Sequence, residues 1–94
     1  MVTVLVSAAV KPTTEGRDAV RAAIRAALPL VRQEPGCISY NAAETETEFF
    51  FTEEWESPEA LREHAAGPAF TEMMQTVGAL LVEPLELRTG APLD

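Results

Sequence analysis

The fold is decided by residues 37–55, which read CISYNAAETETEFFFTEEW. Two short stretches with strand character, 37–43 and 48–55, flank an acidic, threonine-rich connection at 44–48, and this pattern predicts a β-hairpin. Three consecutive phenylalanines at 49–51 put aromatic side chains on both faces of the second strand. A strand with one solvated face would alternate apolar and polar residues. We therefore expect both faces of this strand to be covered.

The segment before the hairpin predicts one strand and one helix. Valine or alanine recurs at every second position over residues 2–10, which predicts a strand. The residues between them are nearly as apolar, so we expect both faces of this strand to be buried. Apolar residues then recur at helical spacing over 15–33, with arginines on the opposite side. Pro29 lies inside this helix and removes a backbone donor. We therefore expect a kink or a break near residues 27–28.

The segment after the hairpin predicts two helical pieces and a last strand. Residues 57–59 read Ser-Pro-Glu, which is typical of a helix N-terminus. A Gly-Pro pair at 67–68 interrupts that helix, and a second helical piece follows. Residues 82–89 are predicted to form the last strand, which leaves 90–94 as a tail.

The order of these elements is β-α-β-β-α-β, which predicts one α+β domain over residues 1–94. This order is typical of the ferredoxin-like fold, a four-stranded antiparallel sheet with both helices on one face. The other face would then expose apolar side chains, and no further segment of the chain is free to cover it. We therefore expect a homodimer that closes sheet against sheet into a dimeric α/β barrel.

Charge and composition exclude several classes of function. Seven Lys and Arg against fifteen Asp and Glu give a net charge of −8, which disfavours binding to nucleic acid or to an anionic membrane. No apolar run is long enough to span a bilayer and no signal peptide is recognisable, so we expect a cytoplasmic protein. One cysteine (Cys37) and one histidine (His64) offer no metal-binding cluster. Nucleotide and phosphate motifs are also absent, so we expect neither metal nor cofactor.

A cavity between the helices and the sheet is where this fold can hold a ligand. His64 shares a helical face with Ala60 and Leu61, so we expect it to face this cavity. An imidazole there is a candidate acid or base, and a structural hydrogen-bonding role is an equally good interpretation. The remaining candidates for the cavity wall are Trp55, Phe51, Tyr40, Asn41, Phe70, Met73 and Met74.

Two of these assignments depend on facts that the sequence leaves open. The hairpin register decides whether Tyr40 or Asn41 points inward. The apolar residues of the last helix are also what an ordinary helical core requires.

The carboxylates at 53, 54 and 56 are expected to be solvated, because like charges that close would repel each other.

Three segments of the chain resemble the antibiotic biosynthesis monooxygenase family: EPGCISY at 34–40, EWESPEAL at 54–61, and His64. The family comprises small dimeric α/β barrels, among them quinol monooxygenases. The resemblance implies a cofactor-independent monooxygenase that oxidises a quinol-like or anthrone-like aromatic substrate with O₂. A hydroquinone or anthrone that loses a proton becomes an electron-rich anion that can reduce O₂ directly, so a dry pocket and a base would suffice.

The resemblance also implies roles for individual residues. His64 would be the base or the oxyanion partner, Trp55 a pocket wall with a donor N–H, and Asn41 or Tyr40 a second polar contact. Many members carry a second histidine where this chain has Ala69. Two alternatives stay open: a haem-binding or haem-degrading protein with His64 as axial ligand, and a non-catalytic ligand-binding or interaction module.

Overall fold

Four antiparallel strands form one sheet in this protein. They are β1 (Val4–Val10), β2 (Cys37–Glu44), β3 (Phe49–Trp55) and β4 (Glu86–Gly90). The structure is a computed structural model and describes residues 3–94. The strands lie in the order β2-β3-β1-β4, so the two central strands are β3 and β1. The expected ferredoxin-like α+β fold is confirmed.

Three helices accompany the sheet. They are α1 (Arg17–Val31), α2 (Pro58–Ala66) and α3 (Pro68–Val77), and a 3₁₀ turn at Gly78–Leu80 follows α3. Ser57 caps α2 as its sequence predicts, because its hydroxyl accepts a hydrogen bond from the Ala60 amide at 3.1 Å. Among residues 3–94, no helix has both the length and the apolar character needed to cross a membrane.

All three helices pack against one face of the sheet. On β1, Val6, Ala8 and Val10 are buried, and on β3 the buried residues include Phe49 and Phe51. The residues between them point the other way. Leu5 is 41% exposed there and Phe50 is 38% exposed. Within one chain, therefore, the helices cover the inner face of the sheet and leave the apolar residues of the outer face open.

Helix α1 runs without a break through Pro29, so of the predicted kink or break near residues 27–28 the break does not occur. The buried side of α1 consists of Val20, Ile24, Ala27 and Val31, which hold successive turns against the core. Pro29 and Arg25 are both exposed. In a regular helix the amide of residue 29 would donate to the Arg25 carbonyl, but proline has no N–H. Water can hydrogen-bond to this exposed carbonyl instead.

The last strand starts later than the sequence predicts. Residues before Glu86 bond instead to the segment between β1 and α1: Thr13 donates its amide to the Leu80 carbonyl at 2.7 Å, and Val82 donates to the Lys11 carbonyl at 2.9 Å. Pro84 has no N–H, so it cannot donate a hydrogen bond to a neighbouring strand. Strand β4 includes Gly90, which the sequence places in the tail.

Candidate active site

The register of the sheet decides which residues of β2 face the helices. Tyr40 lies opposite Glu53, and Glu53 lies opposite Val6, so these three residues form one row across the inner face. Asn41 lies opposite Thr52 and is exposed. Successive residues of a strand point to opposite faces. Tyr40 therefore takes the inward position, and the assignment of Asn41 to the cavity is wrong.

A cavity of about 70 Å³ lies between the inner face of the sheet and helices α2 and α3. Its wall is apolar except for three residues, Tyr40, Glu53 and His64. The exposed wall residues, Ala65 and Leu87, mark its mouth. Five of the predicted wall residues are present: Tyr40, Phe51, Phe70, Met73 and Met74. The sequence-based prediction did not include the contributions of β1, of the residue before β4 and of β4 itself: Val6, Ala8, Val10, Leu85 and Leu87.

His64 is buried in the cavity wall, with 4% of its surface exposed. Its ring stacks on Trp55, with 4.7 Å between ring centroids and 29° between planes. Tyr40 and Phe70 meet it edge-on at centroid distances of 5.5 and 5.3 Å. Three aromatic rings thus fix the orientation of the imidazole, as a group that must transfer a proton along one direction requires.

The second fixed point of the imidazole is a carboxylate that the sequence does not place in the site. Nδ1 of His64 lies 2.7 Å from Oε1 of Glu34, which is 30 positions earlier in the chain. Glu34 precedes the tight turn between α1 and β2, and its side chain is 20% exposed. It does not line the cavity, so it contacts the ring from the side away from the cavity.

Gly36 explains why Glu34 reaches His64. It adopts a φ of 82°, and a Cβ at this position would come within 2.5 Å of the Ala60 Cβ. Only a glycine allows this backbone conformation and this close approach without strain. The turn is also tied down by the Glu56 amide, which donates to the Gly36 carbonyl at 2.8 Å. The turn therefore packs directly on α2, one turn of helix from His64.

Trp55 is placed differently from its prediction. It is fully buried and lies behind His64, outside the cavity wall. Its indole Nε1–H donates to Oε1 of Glu53 at 2.9 Å. The donor is therefore already satisfied within the protein. The predictions that Trp55 is a wall of the cavity and that its N–H is available to a ligand are both corrected by this geometry.

Glu53 is the polar residue of the cavity that the sequence analysis assigns to solvent. It is 8% exposed, and burial raises the pKa of its carboxyl, opposed by the hydrogen bond from Trp55 and by the charge of His64. The prediction of a solvated carboxylate holds for Glu56, which is exposed, and is wrong for Glu53. Glu53 is two residues from Phe51 and two from Trp55, so the period of a strand places all three on the same, inward face. This spacing was the signal that Glu53 faces inward.

Tyr40 supplies the third polar group of the cavity. Its side chain is buried, and burial together with the negative charge of Glu53 raises the pKa of its phenol. The phenol is therefore neutral near neutral pH and can donate a hydrogen bond. No hydrogen bond from its hydroxyl to another residue within 3–94 is found, which leaves this donor for a molecule in the cavity or for water.

Other candidate positions lie outside the cavity. Ala69, the position at which the family resemblance implies a second histidine in many members, packs in the groove between α1 and α3. Cys37 is half-buried, and burial raises the pKa of its thiol, which disfavours the nucleophilic thiolate. Across residues 3–94, no three His, Cys, Asp or Glu side chains are arranged to hold a metal ion. The chemistry that this arrangement supports is proton transfer and hydrogen bonding to a small molecule held in an apolar cavity.

The comparison with known proteins agrees with the fold and the segments described above. The model of the antibiotic biosynthesis monooxygenase family matches residues 1–76. This chain belongs to that family. A protein of Mycobacterium tuberculosis named "Putative monooxygenase Rv0793" is 36% identical over 93 residues, which cover 97% of this chain and 92% of the relative.

Solved structures of the family have the same fold. The structure of Rv0793 superposes with a TM-score of 0.93 at 35% identity, covering 98% of this chain and 96% of that one. A crystal structure described as an antibiotic biosynthesis monooxygenase gives a TM-score of 0.91 at 26% identity, covering 97% and 99% of the two chains. Both solved structures therefore share this fold over at least 97% of the chain.

Proposed function

We propose that this protein is a cofactor-independent monooxygenase that oxidises a small hydroquinone with O₂. The observation that carries the proposal is His64, a buried imidazole in the wall of an otherwise apolar cavity, with a carboxylate behind it. Membership of the antibiotic biosynthesis monooxygenase family supports it, as does the name of the 36% identical relative.

The reaction needs one protein base at the start. Nε2 of His64 accepts the proton of a phenolic hydroxyl, and the resulting anion has high electron density on its ring carbons. O₂ adds to a ring carbon, takes up four electrons from the substrate in all, and leaves one oxygen atom bonded to that carbon. The other oxygen atom leaves as water, so that hydroquinone and O₂ become hydroxyquinone and water.

The remaining cavity groups have roles that follow from their positions. The Tyr40 hydroxyl can donate to the anionic oxygen of the substrate, because burial keeps this phenol neutral. Glu53 accepts a hydrogen bond from the indole N–H of Trp55 and thereby holds the ring on which His64 stacks. The apolar wall formed by Phe51, Met73 and their neighbours excludes water, which strengthens hydrogen bonds to the developing charge.

The size of the cavity favours a single-ring substrate. Its volume of about 70 Å³ is smaller than the roughly 150 Å³ that encloses a benzene molecule. A hydroquinone can therefore be only partly enclosed, with one hydroxyl inside the cavity and the other end of the molecule in the mouth beside Leu87. A three-ring anthrone would require α2 and α3 to move away from the sheet. The haem alternative gains no support, because a porphyrin is larger still.

The test is O₂ consumption by the purified protein with a panel of hydroquinones, after dialysis against a metal chelator. We expect oxygen uptake above the uncatalysed rate and formation of the hydroxyquinone. His64→Ala should lower kcat by about 10²-fold, because the proton acceptor is lost. Glu63→Ala changes the exposed neighbouring residue of the same helix and is the matched control.

Three results would contradict the proposal. Activity that needs added flavin, haem or metal would show that the chemistry is different. An unchanged rate in His64→Ala would show that the base is another group. Absence of oxygen uptake with every member of the panel, together with binding of the same compounds, would favour the non-catalytic ligand-binding module.

A further inference from the structure

Within residues 3–94, Glu34 is the one carboxylate that forms a hydrogen bond to the candidate base. The 2.7 Å separation between its Oε1 and Nδ1 of His64 is that of a charge-assisted hydrogen bond. We propose that Glu34 is a positioning residue that keeps the proton of neutral His64 on Nδ1 and so leaves Nε2 as the acceptor toward the cavity. The catalytic half of this proposal rests on the proposed function, whereas the assignment of the tautomer does not.

The chemistry of the two partners determines the direction of the hydrogen bond. An ionised carboxylate has no proton to donate, so the proton of the shared hydrogen bond belongs to the imidazole. A neutral imidazole carries one N–H, and with Nδ1 protonated the lone pair is on Nε2. No other residue within 3–94 forms a hydrogen bond to Nε2. It is therefore the ring nitrogen left to meet a molecule in the cavity.

The surroundings of His64 support a specific role for Glu34. Among residues 3–94, Glu53 and Tyr40 also lie near the ring, and both come from the sheet and line the cavity. Glu34 does not line the cavity, and it is partly exposed to solvent. When Nε2 accepts a proton from the substrate, the imidazolium that forms still donates its Nδ1–H to Glu34. The negative charge of the carboxylate then stabilises the new positive charge.

A purely structural role for the contact is the competing explanation. Glu34 also joins the turn before β2 to helix α2, and this link could serve folding alone. The two explanations differ in what they predict for a folded Glu34→Gln variant. A purely structural link predicts that kcat is unchanged as long as the fold is kept, whereas a positioning residue predicts a mixture of tautomers and a lower kcat.

The first experiment is nuclear magnetic resonance of the protein labelled with ¹⁵N-histidine. His64 is the single histidine of the chain, so the spectrum contains one imidazole. Couplings from the two ring C–H protons distinguish Nδ1 from Nε2, and the protonated nitrogen resonates far upfield of the unprotonated one. Above neutral pH we expect wild-type His64 to be protonated on Nδ1. Protonation on Nε2 would overturn the proposal, and this measurement requires no variant.

The second experiment compares Glu34→Gln with Glu63→Gln, which removes the same charge from an exposed position next to His64. An amide can donate as well as accept, so Glu34→Gln should allow both tautomers and give a mixed spectrum. Glu63→Gln should keep the wild-type spectrum. A wild-type spectrum in Glu34→Gln would show that the carboxylate does not select the tautomer.

Kinetics complete the test. If the wild type oxidises a hydroquinone, Glu34→Gln should lower kcat by about 10- to 100-fold and leave KM nearly unchanged, because substrate contacts are retained. A loss of kcat confined to a misfolded fraction is excluded by comparing the circular dichroism of both variants. If the wild type has no activity, the proposed function fails, and the tautomer measurements still decide the role of Glu34.

Discussion

Glu53 is the residue whose surroundings differ most from what its type suggests. It is buried between Tyr40 and Val6 on the inner face of the sheet, and its one protein hydrogen bond among the described residues comes from Trp55. A carboxylate in such a place loses its hydration, which raises its pKa. The consequence for stability can be measured without knowing the substrate.

We expect Glu53→Gln to remove a pH-dependent destabilisation. Because the pKa is raised in the folded state, the folded protein holds more protons than the unfolded chain above roughly pH 4.3, the ordinary glutamate value. Wild-type stability therefore falls as the pH rises from there to the folded-state pKa, by at most about 1.4 kcal/mol per pH unit. The glutamine retains an oxygen for the Trp55 indole but has no proton to lose.

Urea unfolding of both proteins between acid and neutral pH measures this effect. The free energy of unfolding of Glu53→Gln should exceed that of the wild type by an amount that grows with pH across the window. Glu54→Gln, the same change on the neighbouring residue of β3, is the control. Equal pH dependence in the two variants would contradict the burial argument.

The sequence was sufficient to predict His64 and four apolar wall residues of the site, but it was insufficient for the two carboxylates. Glu53 could have been placed by the period-two alternation of β3, which outweighs the repulsion expected between neighbouring acids because Glu54 and Glu53 point to opposite faces. Glu34 had no such signal. Its contact joins residues 30 positions apart and depends on how the turn at Gly36 packs on α2.

The first helix and the β2–β3 hairpin are joined by a surface cluster of charges. Glu44 of β2 accepts hydrogen bonds from Arg17 at 2.8 Å and from Arg21 at 2.8 and 2.6 Å. The same guanidinium of Arg17 donates to the carbonyls of Thr45 and Glu46, and both arginines lie over the ring of Phe49. The cluster thereby links the start of α1 to the turn between β2 and β3.

This cluster predicts an acid-sensitive contribution to stability. The hydrogen bonds from Arg21 and then Arg17 lower the pKa of Glu44 to about 2. A lowered folded-state pKa gives stability that is present above roughly pH 4.3, the ordinary glutamate value, and is lost as the pH falls toward 2. Glu44→Gln should therefore be less stable than the wild type at neutral pH, and the difference should vanish in strong acid.

Thermal unfolding across this pH range, at low and high salt, tests the prediction. Glu44 is partly exposed, so added salt should reduce the difference between the two proteins. Glu46→Gln, in the same hairpin, serves as the control, since only the backbone carbonyl of Glu46 accepts from Arg17. A difference that persists unchanged at low pH would exclude Glu44 ionisation as its cause.

The elements themselves were predicted well where local signals agree with packing. The hairpin and the capped start of α2 depend on turn residues and on Ser57, which act within a few positions. The break that was one of the two outcomes expected at Pro29 does not occur, because burial of α1 against the core keeps the helix continuous. The prediction was wrong for residues 82–85, which do not belong to the last strand. Val82 instead donates a backbone hydrogen bond to Lys11, which is distant in the sequence.

The outer face of the sheet is the feature that belongs to the molecule as a whole. Phe50 lies beside Ala9 on β1 and Ala43 on β2, and Leu5 is exposed on the same face. A row of apolar side chains on an open sheet is a surface that soluble proteins normally cover. We propose that a second copy of the chain covers it, sheet against sheet, as the sequence led us to expect.

Light scattering after size exclusion, at several micromolar concentrations, tests this dimer. The wild type should have twice the mass of one chain, and Phe50→Lys should give the mass of one chain with unchanged circular dichroism, because a buried unpaired ammonium opposes association. Leu30→Lys is the matched control, since Leu30 is an exposed apolar residue of α1 in the helical layer. It should remain dimeric. A wild type with the mass of one chain would exclude the dimer, and a dimeric Phe50→Lys with a monomeric Leu30→Lys would move the interface to the helices.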